Sequence, residues 1–228
     1  MNDEANRAAS SRQVRQHRLV YPDERVVCFL ARHYADRPAN AQRRALDVGC
    51  GSGRHLRLFL DYGFQAYGID YSAEAIAVAR EFLSAHPLLR EIKQADLADG
   101  GFPAGFFDTV LCWGTMFLRP CQDIVRDLRR VYRALAPGGR LLLNFRTRDN
   151  WFFGLGAELD QPGTYVLDER AGPYQGMRYT FLDAPAAGEL LSQAGFQVEN
   201  SERVDLWEAR CTQRHSWWVF WARKPGVA

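Results

Sequence analysis

The chain has 228 residues, 47% hydrophobic and 25% charged, with a net charge of +2. That length and composition suit one domain with a real core and a few added elements. No apolar run is long enough to span a membrane, no repeat or low-complexity tract is present, and the weak net charge, without a Lys/Arg block, neither demands nor excludes a nucleic-acid partner.

In chain order, residues 1–39 read as an N-terminal extension and cap helix. The start is polar. A basic stretch around His17 follows, and Tyr21-Pro22-Asp23-Glu24 opens a helix carrying Val26, Phe29, Leu30 and Tyr34. Pro suits a first turn, and the acids suit the helix N-terminus. The main domain occupies residues 40–228. Residues 44–48 read as a strand, and Gly49-Cys50-Gly51-Ser52-Gly53 as a tight loop leading into a helix. The glycines alternate, which departs from the G-x-G-x-x-G spacing of a dinucleotide site and argues against a nicotinamide oxidoreductase. Asp47, just before them, would repel a pyrophosphate and attract an ammonium group. Residues 63–70 form a turn and strand ending in Asp70, placed to accept ribose hydroxyls at a strand's carboxyl end. Ser72 caps a helix over 73–83. A third strand ends near Asp96 and Leu97, and a fourth runs through Cys112 to Trp113.

Residues 121–136 have helical periodicity, ended by Pro137-Gly138-Gly139, and residues 140–145 are a fifth strand. An irregular insert lies near 147–180. It is rich in glycine and aromatic side chains, the composition of a functional loop or lid. Asp183 caps a last helix, and strands from Phe196 and His215 pair as an antiparallel hairpin. Five cysteines without a C-x-x-C pair, and a charged N-terminus unlike a signal peptide, fit a reduced, cytoplasmic protein. The five dispersed histidines suggest no metal site.

Asp47, Gly49, Gly51, Gly53 and Asp70 together resemble the acid, glycine loop and ribose-binding acid of class I methyltransferases that use S-adenosyl-L-methionine. The run Leu135-Ala136-Pro137-Gly138-Gly139-Arg140-Leu141 resembles that family's turn into its fifth strand. The resemblance covers roughly residues 40–222. It implies an α/β, Rossmann-like three-layer sandwich with a seven-stranded, mostly parallel sheet in the order 3-2-1-4-5-7-6, strand 7 antiparallel. The implied cofactor is S-adenosyl-L-methionine, leaving as S-adenosyl-L-homocysteine. Its implied binding residues are Asp47, Gly49, Cys50, Gly51 and Gly53 at the methionine end, Asp70 and Tyr71 at the ribose, Asp96 and Leu97 at the adenine, and Cys112. For Cys50, a small residue filling space is the competing reading.

The acceptor side rests on chemistry. An oxygen or protonated nitrogen nucleophile must lose a proton, so His17 and His55 are candidate bases and Tyr21 an orienting hydroxyl. An N-terminal cover could deliver His17 and Tyr21 to the pocket, whereas a helix N-terminus opposes protonation of His55. Arg119, Arg146 and Arg178 lie on the presumed binding edge, where two converging guanidinium groups would clamp a carboxylate or phosphate. Trp151 and Tyr174 belong to an aromatic series suited to an organic pocket. The expected activity is methyl transfer to an O or N nucleophile of a small organic metabolite. The alternatives are an RNA or protein methyltransferase and a non-catalytic donor-binding protein with a regulatory or structural role. No nucleic-acid partner is expected, and the C-terminal tryptophans suit sheet packing or a homodimer face.

Overall fold

The computed structural model describes residues 19–226. The central strand β1 (Arg44–Val48) is almost wholly buried, as a strand covered on both faces must be. Helix α1 (Glu24–His33) precedes it. After β1 come α2 (Arg54–Asp61), β2 (Gln65–Asp70), α3 (Ala73–Leu83), β3 (Leu89–Gln94), β4 (Phe107–Cys112), α4 (Cys121–Ala134) and β5 (Leu135–Arg146). Three short strands follow, β6 (Gly156–Glu158), β7 (Thr164–Leu167) and β8 (Arg178–Thr180). The chain then forms α5 (Ala184–Gln193), β9 (Gln197–Glu208) and β10 (Gln213–Arg223). The main sheet has the order β3-β2-β1-β4-β5-β10-β9. Its first five strands are parallel, and β10 runs antiparallel to both neighbours. This is the predicted α/β order, with β9 and β10 as the sixth and seventh strands.

Successive side chains of a strand point to opposite faces, so β1 feeds two cores. Leu46 and Val48 join Ile124, Leu128 and Val131 of α4 and Ala187 and Leu191 of α5. Ala45 joins Leu56 and Phe59 of α2, Ile76 of α3, and Val26, Phe29 and Leu30 of α1. The last contact seats the expected N-terminal helix in the core of the sheet. Phe29 meets Trp221 of β10 edge to face at 5.7 Å, so α1 is packed on the sheet. Asp108 at the start of β4 is structural: its Oδ2 accepts the Arg44 backbone N–H at 2.8 Å.

The insert is more regular than its composition suggested. Strands β6, β7 and β8 form a separate antiparallel sheet over a third core containing Phe117, Phe152, Tyr165, Tyr179 and Phe181. Thr164 and Thr180 share a buried hydroxyl–hydroxyl hydrogen bond at 3.1 Å, and Thr180 Oγ1 donates to the Arg119 carbonyl at 2.6 Å. The small sheet is therefore tied to the loop after β4. Its strands are three or four residues long, too short for a clear period-2 signal.

Candidate functional site

The loop after β1 crosses the carboxyl end of the sheet, where open α/β folds bind ligands. Gly49 has φ +73°, and a Cβ there would lie 2.1 Å from Thr115 Cγ2. This position needs glycine for both conformation and space. The Gly51 N–H donates to Asp70 Oδ2 at 3.0 Å, and the Ser72 N–H donates to Asp70 Oδ1 at 2.8 Å. Asp70 thus joins the glycine loop to the first turn of α3. It is 6% exposed, and burial raises its pKa against the lowering effect of its backbone donors at Ser72, Gly51 and Tyr71.

A cleft of about 660 Å³ opens beside this junction. Gly49, Asp70, Tyr71, Asp96, Leu97 and Thr115 are among its walls. Asp47, in β1, precedes the cleft-lining Val48 and Gly49 and is 1% exposed, with an Oδ2 that has no hydrogen-bond partner among the described residues. Burial pushes its pKa up to about 7, with Arg54 opposing and Asp70 adding to the rise. A buried carboxylate oxygen without a donor is costly unless a ligand supplies one.

Arg119 takes a different place from the one expected. It belongs to the wall of this cleft, where it pairs with Asp96 and, through Nε, with Asp127 Oδ2 at 2.9 Å. Asp127 is 1% exposed and also pairs with Arg130. One side of the cleft is therefore a line of alternating charges, and Asp96 faces a guanidinium as well as the cavity. Asp127 was not foreseen, because an acid in a helix with Arg130 three residues on reads as an ordinary surface pair. Asn144 was also missed. Its Oδ1 accepts the Gly114 N–H at 2.7 Å and holds the loop after β4, and the available signal was one amide within an apolar strand.

Residues 45–139 match the model of a methyltransferase domain family. Over these residues the chain is similar to class I S-adenosylmethionine-dependent methyltransferases. A demethylmenaquinone methyltransferase of Thermus thermophilus is 36% identical over 120 residues, 50% of this chain and 53% of that protein. A malonyl-[acyl-carrier protein] O-methyltransferase of Enterobacter lignolyticus is 31% identical over 114 residues, 50% of this chain and 43% of its own length. The chain thus spans about half the length of the curated relatives it matches. In fold, the chain is similar to the 1,6-didemethyltoxoflavin-N1-methyltransferase of Burkholderia thailandensis. That structure has a TM-score of 0.70 and 20% identity, covering 98% of this chain and 88% of the other.

Several expected site residues lie elsewhere. Cys50 and Cys112 are buried core side chains whose thiol pKa values burial drives well up, so neither is a ligand-facing thiol. A Cβ on Gly68 would come within 3.0 Å of Cys50 Sγ, which shows how closely the cysteine fills the space against β2. Gly53 packs against α3, where a Cβ would meet Leu83 at 3.0 Å and Ala79 at 3.3 Å. Tyr21 is 84% exposed and outside the lining of the cleft, and His17 falls outside the described residues.

His55 is a structural acceptor in place of the expected base. Its Nε2 accepts the Asp23 N–H at 3.2 Å, and burial, reinforced by Arg54, pushes its pKa down to about 3. Ser52 Oγ donates to the Leu19 carbonyl at 3.0 Å and Arg54 Nη1 to that of Tyr21 at 3.2 Å. The segment before α1 is thereby stitched to the glycine loop. His55→Ala is expected to cost about 2 kcal/mol by orphaning the Asp23 N–H and leaving a void. With its folded pKa below the ordinary 6.5, His55 contributes stability above that value which is lost as pH falls towards 3. Thermal melts across this acid range should therefore show a weaker pH dependence for the variant. An unchanged melt would contradict this role.

Arg146, Trp151 and Tyr174 line a second cleft, of about 710 Å³, between the turn at residues 170–174 and the β9–β10 hairpin. Arg178 is buried in β8 and is not part of that lining, so the expected two-arginine clamp is not assembled there.

Proposed function

We propose that the chain binds S-adenosyl-L-methionine in the first cleft and catalyses methyl transfer to an O or N nucleophile of a small organic acceptor. The observation that carries this reading is Asp70. A buried carboxylate at the end of β2 lines the cleft and is fixed by Gly51 N–H of the loop that passes it. The residues fit the donor. Asp70 would accept ribose hydroxyls, and the Asp47 oxygen lacking a partner would receive the ammonium through the glycine loop. Leu97 and Met116 supply apolar walls for the base. Asp96 would share its carboxylate between Arg119 and the adenine amino group.

When bound, the donor supplies a methyl carbon on a positively charged sulfur, and that bond breaks with its electron pair left on sulfur as the acceptor's lone pair forms the new bond. The protein's part is to bind, align and exclude water. The small-acceptor reading is supported by the relatives, whose names specify methylation of demethylmenaquinone and of a malonyl group on acyl-carrier protein. On this reading the protein works in the cytoplasm without a nucleic-acid partner. Trp207 and Leu206, 52% and 49% exposed on β9, would be available to a second copy.

Calorimetric titration with S-adenosyl-L-homocysteine tests the proposal. Wild-type protein should bind it one to one. Gly49→Ala should bind at least about tenfold more weakly, because the loop must move away from Thr115 and leave a strained conformation. Folded wild-type protein giving no heat of binding would overturn the proposal.

A further inference from the structure

The short helical turn Met116–Leu118 stands between the two clefts. Met116 and Leu118 line the first. Phe117 points the other way, with its ring 4.7 Å from the guanidinium carbon of Arg146, a residue of the second. Arg146 ends β5 and is 7% exposed. Phe152, Tyr179 and Trp217 also surround it, at 5.0, 4.5 and 5.6 Å. Its Nη1 donates to Asn150 Oδ1 at 3.3 Å, and its Nε has no acceptor.

Three other partly buried arginines of this chain carry acids. Arg119 has Asp96 and Asp127, Arg25 has Glu202, and Arg140 has Glu199. Among the described residues, no carboxylate forms an ion pair with Arg146. Glu208 at the rim of the cleft is 57% exposed and lies 3.4 Å from His215 Nε2. Aromatic faces offset part of the cost of a buried guanidinium. They do not replace a counter-charge. The cleft therefore presents a dry cation, with Trp151, Tyr174 and Trp217 as flat walls.

We propose that this second cleft is the acceptor subsite, and that its ligand is a planar aromatic carboxylate whose anionic end docks on Arg146. The guanidinium edge would donate to the carboxylate while the aromatic walls cover the ring. The assignment of the cleft to the acceptor rests on the donor reading above, whereas binding of the carboxylate does not.

The probe is 2-naphthoate, with neutral 2-naphthamide as its isostere, each titrated by calorimetry into the full chain. Wild-type protein should bind naphthoate at least about tenfold more tightly than naphthamide, the range expected for a charge-assisted hydrogen bond. Arg146→Gln should bring that ratio close to one and leave naphthamide affinity unchanged. Naphthoate should also quench tryptophan fluorescence, and Trp151→Phe should remove part of the quench. This second variant locates the site even where Arg146→Gln fails to fold, because Trp151 is already 37% exposed. Equal affinity for the two probes, absence of binding, or a charge preference that survives Arg146→Gln would each overturn the proposal. Titration of S-adenosyl-L-homocysteine into the same samples separates the two readings. Its binding without naphthoate removes only this inference; naphthoate binding without it removes the donor assignment and with it the acceptor role, leaving the carboxylate site.

Discussion

Asp70→Ala is expected to weaken S-adenosyl-L-homocysteine binding by at least about 100-fold. The carboxylate has two tasks. It accepts the N–H groups of Gly51 and Ser72 at 3.0 and 2.8 Å, and it faces the cleft where the ribose would lie. Hydrogen bonds to a charged group contribute about 1.5–3 kcal/mol each. Loss of two ribose contacts therefore reaches the stated factor without any change in the loop. Losing the loop contacts adds to it, because Ser72 is the N-cap of α3, with its side chain accepting the Ala75 N–H. Asp70→Asn should rescue little, since an amide NH₂ would face one of two backbone donors. Calorimetry gives the affinity and a thermal melt gives the cost to the fold. A lowered melting temperature with unchanged affinity would leave Asp70 as a loop brace alone.

The second large effect is a pH dependence set by Asp47. Burial holds its pKa at about 7, well above the ordinary 3.8, so the carboxyl of unliganded protein carries a proton below neutrality. A cationic ammonium favours the ionised form, and binding below that point must expel the proton. Affinity for S-adenosyl-L-homocysteine should fall by up to about tenfold per pH unit below pH 7 and level off above it. Proton release should appear as a binding heat that depends on the buffer's ionisation enthalpy.

Asp47→Asn should abolish this slope and weaken binding at about pH 8 by about tenfold or more. The stability effect has the opposite sign. A folded pKa raised above the unfolded one contributes stability that is complete below about 3.8 and is lost as pH rises through about 7. At about pH 8 the ionised side chain therefore destabilises the unliganded fold, and the Asn variant should be more stable by about 2–4 kcal/mol. A variant that binds worse and melts higher would identify Asp47 as a group held at a cost for a ligand. A flat pH profile in wild-type protein would contradict it.

Where the candidate site depends on local chain geometry, it was legible in the sequence. Alternating glycines after a buried strand, with an acid before them and another at the end of the next strand, can be read from spacing because strand, turn and helix are short-range structures. Residues whose roles depend on distant partners were harder to read. His55 looked like a base beside the loop, yet its nitrogen is occupied by a backbone N–H from 32 positions earlier. Arg119 looked like an acceptor ligand, but two acids from other elements hold it in the wall of the first cleft. Cys50 and Cys112 fell at suggestive positions, and their side chains joined the core.

The sequence by itself determined the strands, the place of the glycine loop and the acid that meets it, because hydrophobic period and turn chemistry act over a few residues; the order of the main sheet followed from the family resemblance. Only the tertiary structure decided which charges are paired. Among the described residues it left an Asp47 oxygen without a donor and Arg146 without a counter-ion while supplying acids to Arg119. Desolvation and ion pairing depend on elements far apart in the chain, and those become neighbours only when the layers close.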